Sequence, residues 1–239
     1  MKNKLEKNSN KKNEVGYKKI SMKGLIWKEK LYDKKVLDQI TEKYEISNFL
    51  AKLISGRGIN TINFESFFKP KIKDNFPDPS LLKDVDKATD LISKYIIKRK
   101  KIGIFGDYDV DGVTSTSLLG QFLEELGCPY EFYIPDRTKE GYGPNIEAFK
   151  SLLKKNCDLI ITVDCGTTAK SVIDLAVKEQ LKIIIVDHHQ PGNKLPNAFS
   201  IINPNQNDDL PNLKNLAAVG VTFLLVVSIN RKLRNLNFY

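Results

Sequence analysis

The chain has little of what would mark an extracellular or membrane protein. Its three cysteines (Cys128, Cys157 and Cys165) are an odd number at unrelated spacings. That excludes a disulfide framework and a cysteine-based zinc site, and they read as reduced thiols of a cytoplasmic protein. No stretch approaches the roughly 18 consecutive apolar residues of a membrane span. The longest candidate, residues 216–229, is broken by Gly220 and Thr222, so no membrane partner is expected. The first residues contain no apolar run of the secretory type, so a secretory signal is not expected. Histidine is scarce as well: His188 and His189 are the only two, and they are adjacent.

Excess positive charge is also scarce outside one end. The net charge of +9 suggests nucleic acid, but residues 1–35 hold twelve lysines against Glu6, Glu14, Glu29 and Asp33. The other 204 residues carry 26 basic and 25 acidic side chains and are nearly neutral. A Lys/Asn-rich tail can hold nucleic acid loosely through phosphate contacts; it is equally the composition of a solvated, disordered leader.

What is present divides the 239 residues into three. Residues 1–22 form a basic tail without apolar periodicity, expected to be disordered. Residues 23–99 read as a helical lead-in. Apolar residues recur at helical spacing over 36–55, Phe64, Phe67 and Phe68 suggest a short helix, 73–80 reads as a loop, and a helix is expected near 82–99. From residue 100 to 239 the pattern is α/β. Short apolar runs at 102–105, 130–134, 159–163, 183–186 and 200–202 alternate with helical stretches at 115–126, 145–155, 168–179 and 213–233, the last interrupted near Gly220. Continuous apolar strands between helices predict a parallel sheet covered on both faces.

Three of the predicted strands end in turns that carry chemistry. The first runs into Asp107-Tyr108-Asp109-Val110-Asp111-Gly112, the third into Asp164-Cys165-Gly166, and the fourth into Asp187-His188-His189. Sites of open parallel sheets form outside the carboxyl ends of the strands, so these groups belong to one edge. Carboxylates crowded together repel one another unless a cation sits among them. Oxygen ligands with imidazole suit Mn²⁺, and all-oxygen shells suit Mg²⁺. Two such ions can activate a water and stabilise the attacking and leaving oxygens of a phosphoryl displacement. Asp107, Asp109, Asp111 and Gly112 also match the opening of an EF-hand loop, but position twelve would be Leu118 and a strand precedes the motif, so calcium is rejected. A haloacid-dehalogenase-like phosphatase would use Asp109 as covalent nucleophile and Asp111 as acid. That reading leaves Asp187-His188-His189 without a role.

The motifs taken together resemble the RecJ-type exonucleases of the DHH phosphoesterase family. Asp187-His188-His189 is the triplet that names the family. Residues 106–116 are similar to its first motif, Val163-Asp164-Cys165-Gly166 to its second, and residues 187–192 with Ile202-Asn203-Pro204-Asn205 to its third. Residues 135–143 and 216–223 are also similar, as are Arg57-Gly58-Ile59 and Asp78-Pro79 upstream. The resemblance implies metal-dependent 5′→3′ hydrolysis of single-stranded DNA in recombination and repair. It implies two Mn²⁺ or Mg²⁺ ions held by Asp107, Asp109, Asp111, Asp164, Asp187 and His188. His189 would contact the scissile phosphate and Arg137 a DNA phosphate. By the same resemblance, a single-strand-binding protein or a helicase is a candidate partner. Many relatives carry a histidine four residues before Asp109, where this chain has Phe105, so the ligand set around Asp107 is expected to differ. The family also implies a fourth motif with a further metal-ligating Asp beyond Tyr239, a second core domain and an OB-fold. On that basis the chain is expected to be an N-terminal fragment with little or no activity. The alternatives are a DHH phosphoesterase acting on a small nucleotide, an oligoribonucleotide or pyrophosphate, and a non-catalytic metal- or DNA-binding fragment.

Overall fold

The computed structural model describes residues 20–26, 31–206 and 213–239. Most of the expected tail, residues 1–19, lies outside the described residues. The chain forms two compact units, one through Phe76 and one from Pro77 to Tyr239.

The first unit is helical: α1 (Lys34–Tyr44), α2 (Asn48–Ser55), α3 (Phe64–Phe68) and α4 (Ile72–Asn75). Asp33 and Ser47 cap α1 and α2, their side-chain oxygens accepting from Lys35 N and Leu50 N. Leu37, Ile40, Ala51, Ile54 and Phe64 form its small core, and Phe64 stacks on Tyr44 at 3.8 Å. The expected loop over 73–80 is partly helical. The Asn75 side chain ties back to Lys71 O to close α4, and Asp78 with Pro79 starts a 3₁₀ turn, Pro79–Leu81, in the second unit.

The second unit contains α5 (Val85–Ile97), β1 (Ile102–Gly106), α6 (Val110–Glu125), β2 (Tyr130–Tyr133), α7 (Ile146–Lys154), β3 (Leu159–Val163), α8 (Lys170–Lys178), β4 (Lys182–Val186), β5 (Ser200–Ile202) and α9 (Ala218–Asn235). The five strands are parallel in the order β2-β1-β3-β4-β5. Every residue of β1 and β3 is buried, which is why these strands read as unbroken apolar runs. Alternation divides their side chains between two cores. Ile102, Ile104, Ile161 and Ile184 pack with Ile92 and Ile96 of α5, Leu119 and Leu123 of α6, and Val221, Leu225 and Ile229 of α9. Phe105, Ile160, Ile183 and Ile185 pack with Phe149 and Leu152 of α7 and Ile173 of α8. Burying each such side chain stabilises the fold by roughly 1.5–3 kcal/mol.

Three helix readings differ from the structure. The α5 helix, expected in the lead-in, packs in the core of the sheet-bearing unit. The α6 helix begins at Val110, not near Ser115, because Asp109 caps it. The α9 helix runs unbroken, with Gly220 inside its first turn. Among the described residues, no helix is long and apolar enough to cross a membrane.

Candidate metal centre

The strand order brings the acidic turns together. The chain leaves β1 for β2 on one side and returns with β3 on the other, so the switch point lies between β1 and β3, where a crevice opens at the strands' carboxyl ends. The register sets Gly106, Val163, Val186 and Ile202 side by side. One residue beyond that row stand Asp107, Asp164, Asp187 and Asn203. Asp164 N donates to Val186 O and Asp187 N to Ile202 O, which carries the ladder one step past the strands.

Local backbone chemistry holds the turns tight. Asp109 Oδ1 accepts from Gly112 N at 3.1 Å, so this carboxylate is both the N-cap of α6 and a member of the cluster. Gly112 is required by proximity: a Cβ there would lie 2.7 Å from Asp107 Cα. Asp164 adopts a left-handed backbone with φ +62°. Gly166 follows at φ +111°, where a Cβ would lie 2.7 Å from Thr162 Oγ1.

The resulting cluster holds more negative charge than the protein itself balances. Oxygens of Asp107, Asp109 and Asp164 lie within 4.8 Å of one another, and so do ligand atoms of Asp164, His188 and His189, with Asp164 common to both groups. Asp111 Oδ2 is 3.8 Å from His188 Nε2, and Asp164 Oδ1 is 3.3 Å from it. Asp164 is 1% exposed, and no hydrogen-bond donor is aligned on either of its oxygens; Asp107 Oδ1 is also without a donor. Burial and the facing Asp109 carboxyl push Asp164 up to about 8. Burial raises Asp107 as well, with the Asp109 charge adding to it. Asp109 moves down, because Gly112 N–H stabilises its charge. Buried carboxylate oxygens without donors, in contact with like charge, are what a divalent cation would satisfy. His188 fits the same purpose. Its Nδ1 faces Leu216 O at 3.1 Å, which makes Nδ1 the donor and leaves the Nε2 lone pair toward Asp111 and Asp164.

Asp187, expected among the ligands, has a different place. Its Oδ1 accepts from His188 N at 2.7 Å, His189 N at 3.2 Å and His189 Nδ1 at 2.7 Å, and its Oδ2 accepts from Thr167 N at 3.0 Å. Burial opposes its charge, yet the His189 and Thr167 hydrogen bonds hold its pKa down to about 2. The same bond to Asp187 raises His189. Asp187 therefore anchors the histidine turn from within. His189 is half-exposed, with Nε2 3.2 Å from the Tyr142 hydroxyl. Arg137 is exposed, and its guanidinium lies 5.4 Å from the centre of the Tyr108 ring. Glu140, an acidic neighbour of Arg137 in sequence, instead accepts from Tyr133 Oη, Asp136 N and Asn145 Nδ2. Phe105, at the departure from the family pattern, is core: it stacks beside Tyr133 and meets Phe149 edge-on.

Sequence reasoning assigned no role to Tyr142, Thr167, Asn203 or Asn205, all of which hydrogen-bond to residues of the cluster. The similarity of 135–143 and 202–205 to family motifs is the available signal for Tyr142, Asn203 and Asn205; Thr167 has none.

Several known proteins similar to this chain are exonucleases. The single-stranded-DNA-specific exonuclease RecJ of Bacillus subtilis is 41% identical over 199 residues, which is 83% of this chain and 25% of that protein. The crystal structure of an exonuclease RecJ bound to manganese superposes with a TM-score of 0.58 at 34% identity, covering 64% of this chain and 38% of the other. RecJ from Thermus thermophilus in complex with Mn²⁺ gives a TM-score of 0.66 at 25% identity, covering 86% and 28%. The chain thus spans about a quarter of the length of the Bacillus subtilis relative. Residues 101–237 match the model of the DHH family, N-terminal domain, and the chain belongs to the DHH family.

Proposed function

We propose that this chain supplies the metal-binding half of a phosphodiesterase that shortens single-stranded DNA from its 5′ end. The observation that carries the reading is Asp164: fully buried, with both oxygens lacking donors, and set between a carboxylate group and a histidine group. Asp107, Asp109, Asp111, Asp164 and His188 would hold two Mn²⁺ or Mg²⁺ ions. Bound there, such a pair supplies the Lewis acidity that phosphodiester hydrolysis needs.

The chain's own groups do the rest. Asp187 fixes the His189 ring by hydrogen-bonding Nδ1; Nε2, 3.2 Å from the Tyr142 hydroxyl, would exchange that partner for a scissile phosphate. Arg137 presents a planar set of donors from the ring of Tyr108, suited to a phosphate of the strand. Tyr142 braces the His189 imidazole and the Asp164 carbonyl together. The single-stranded DNA substrate rests on the RecJ relatives; its 5′ polarity, a role in DNA repair and recombination, a cytoplasmic setting, and a single-strand-binding protein or helicase as partner rest on the resemblance of the sequence motifs to the RecJ type.

The test is Mn²⁺-dependent release of nucleotides from a 3′-labelled, 5′-phosphorylated single strand by the protein that carries this chain. The labelled strand should shorten progressively, a blunt duplex should resist, and Asp164→Asn should lose at least about a hundredfold in rate. Equal degradation of duplex and single strand, shortening from the 3′ end, or cleavage of only pyrophosphate or dinucleotides would overturn the assignment.

A further inference from the structure

His188 and His189 stand on a turn beyond β4, where their carbonyls have no ladder partner. Carbonyls shielded from water need donors, and these part-buried ones take them from side-chain carboxamides of the segment after β5. Asn203 Nδ2 donates to His189 O at 2.9 Å, and Asn205 Nδ2 donates to His188 O. The backbone N–H of Asn205 donates to Asn203 Oδ1 at 2.8 Å, which fixes the Asn203 carboxamide from the Asn205 main chain. Asn203 is fully buried and Asn205 is 8% exposed.

These bonds close a circuit. Asn203 Nδ2 also donates to Thr167 Oγ1 at 2.9 Å, and Thr167 N donates to Asp187 Oδ2. Asp187 Oδ1 in turn accepts from His189 N and Nδ1. The path therefore runs from Asp187 through Thr167 and Asn203 to the His189 carbonyl and back to Asp187. Register explains the placement: Ile202 pairs with Val186, so Asn203 arrives beside Asp187.

We infer that Asn203 and Asn205 are positioning residues, a carboxamide clamp that sets the His188 and His189 imidazoles for metal and phosphate. The inference rests on the metal reading of the cluster proposed above. The residue type follows from charge. Asp or Glu offers no donor to a carbonyl. Lys or Arg offers donors, but adds a cation where the metal ions must bind. A carboxamide gives donors without charge. At Asn203 one NH₂ group serves two acceptors on separate turns while its oxygen is held by Asn205.

The experiment measures Mn²⁺ binding by calorimetry and the electron paramagnetic resonance of the bound ion. It compares the wild type, Asn203→Asp, Asn205→Ala and, as a ligand control, Asp164→Asn. Each clamp variant should weaken Mn²⁺ binding about 10- to 100-fold. At saturating Mn²⁺ each should also alter the fine structure of the resonance, which a general loss of stability would leave unchanged. Wild-type affinity and line shape in both clamp variants, with binding lost in Asp164→Asn, would overturn the clamp and leave the metal reading standing. No Mn²⁺ binding by the wild type would overturn the metal reading and the clamp with it. If Asn203→Asp does not fold, Asn205→Ala and the wild type still decide the matter. The side-chain NH₂ protons of Asn203 and Asn205 should exchange slowly with solvent in the wild type, and exchange at free-amide rates would overturn the clamp.

Discussion

Asp164 and Asp187 occupy equivalent positions, each the first residue past a neighbouring strand, and both are buried, yet their charges respond oppositely. Asp187 has four donors on its carboxylate and is held near pKa 2, while Asp164 has none and is pushed up to about 8. In the metal-free protein the folded state keeps a proton on Asp164 toward pH 8, while the unfolded chain releases it near 3.8. The folded state therefore binds more protons across that window, and stability falls as pH rises from about 4 to about 8. Asp187 has the other sign. Its contribution is present above about 4 and is lost as pH falls through about 2. Asp164→Asn should remove the alkaline slope, so that in chelator at pH 8 the variant melts above the wild type. Mn²⁺ at a hundred times its dissociation constant should stabilise the wild type by about 2.7 kcal/mol, a shift of about 5–10 °C, and leave Asp164→Asn unmoved. Thermal melts from pH 5 to 9, with and without Mn²⁺, check both. A wild-type melting temperature that is flat with pH in chelator would remove the argument that Asp164 lacks a partner. The acidic residues were legible in sequence because three successive strand-end turns carry them and the ends of parallel strands converge on one edge. Thr167 was not, since a Thr in a turn is ordinary loop composition, and Asn203 and Asn205 stood out only as part of a motif, without a role. Their meaning appears only when β5 is laid in register beside β4.

At the level of the element, α6 shows why helix starts are hard to place near a site. The run Asp109-Val110-Asp111-Gly112 reads as a polar turn, and the apolar periodicity begins only near Ser115. In the structure the first turn of α6 is made of these polar residues, because Asp109 satisfies an amide at its N-terminus. The same carboxylate thus has two duties, and substitution can separate them. Asp109→Asn keeps an N-cap of nearly equal strength but removes the charge, so Mn²⁺ affinity should drop while metal-free stability stays at or above that of the wild type. Asp109→Ala should lose the metal and about 1 kcal/mol of cap stability as well. Denaturant unfolding in chelator, paired with calorimetry, separates the two effects. Equal metal-free stability of the Asn and Ala variants would show that the cap contributes nothing. The α9 helix makes a related point. Gly220 reads as an interruption in sequence, yet it falls in the first turn, where its N–H donates to Ala217 O at 2.9 Å, and Ala218, Val221 and Leu225 continue the buried stripe.

Across the whole molecule, the α/β portion was legible in outline, with five apolar runs in the right order, while the place of α5 beside them was not. The compact unit that bears the sheet begins at Pro77, because α5 supplies Val85, Ala88, Ile92 and Ile96 to its core, while the match to the family model begins at residue 101. A helix that covers a sheet is indistinguishable in sequence from one that precedes it. Charge is distributed as unevenly as structure. The cluster is acidic, the body beyond residue 35 is nearly neutral, and the surplus lysines lie in the first 35 residues. If DNA is the substrate, the long-range attraction for phosphate must come chiefly from that end, while Arg137 and the metal ions act at short range. Deleting residues 1–19 should therefore weaken single-stranded DNA binding most at low salt. It should flatten the plot of log affinity against log salt by about 0.7 for each phosphate that these lysines neutralise, and leave Mn²⁺ affinity unchanged. Fluorescence anisotropy with a labelled oligonucleotide, in a chelator that prevents cleavage, measures the slope. The same slope with and without residues 1–19 would show that these lysines do not touch DNA, and would move the search for the cationic surface to the body of the protein.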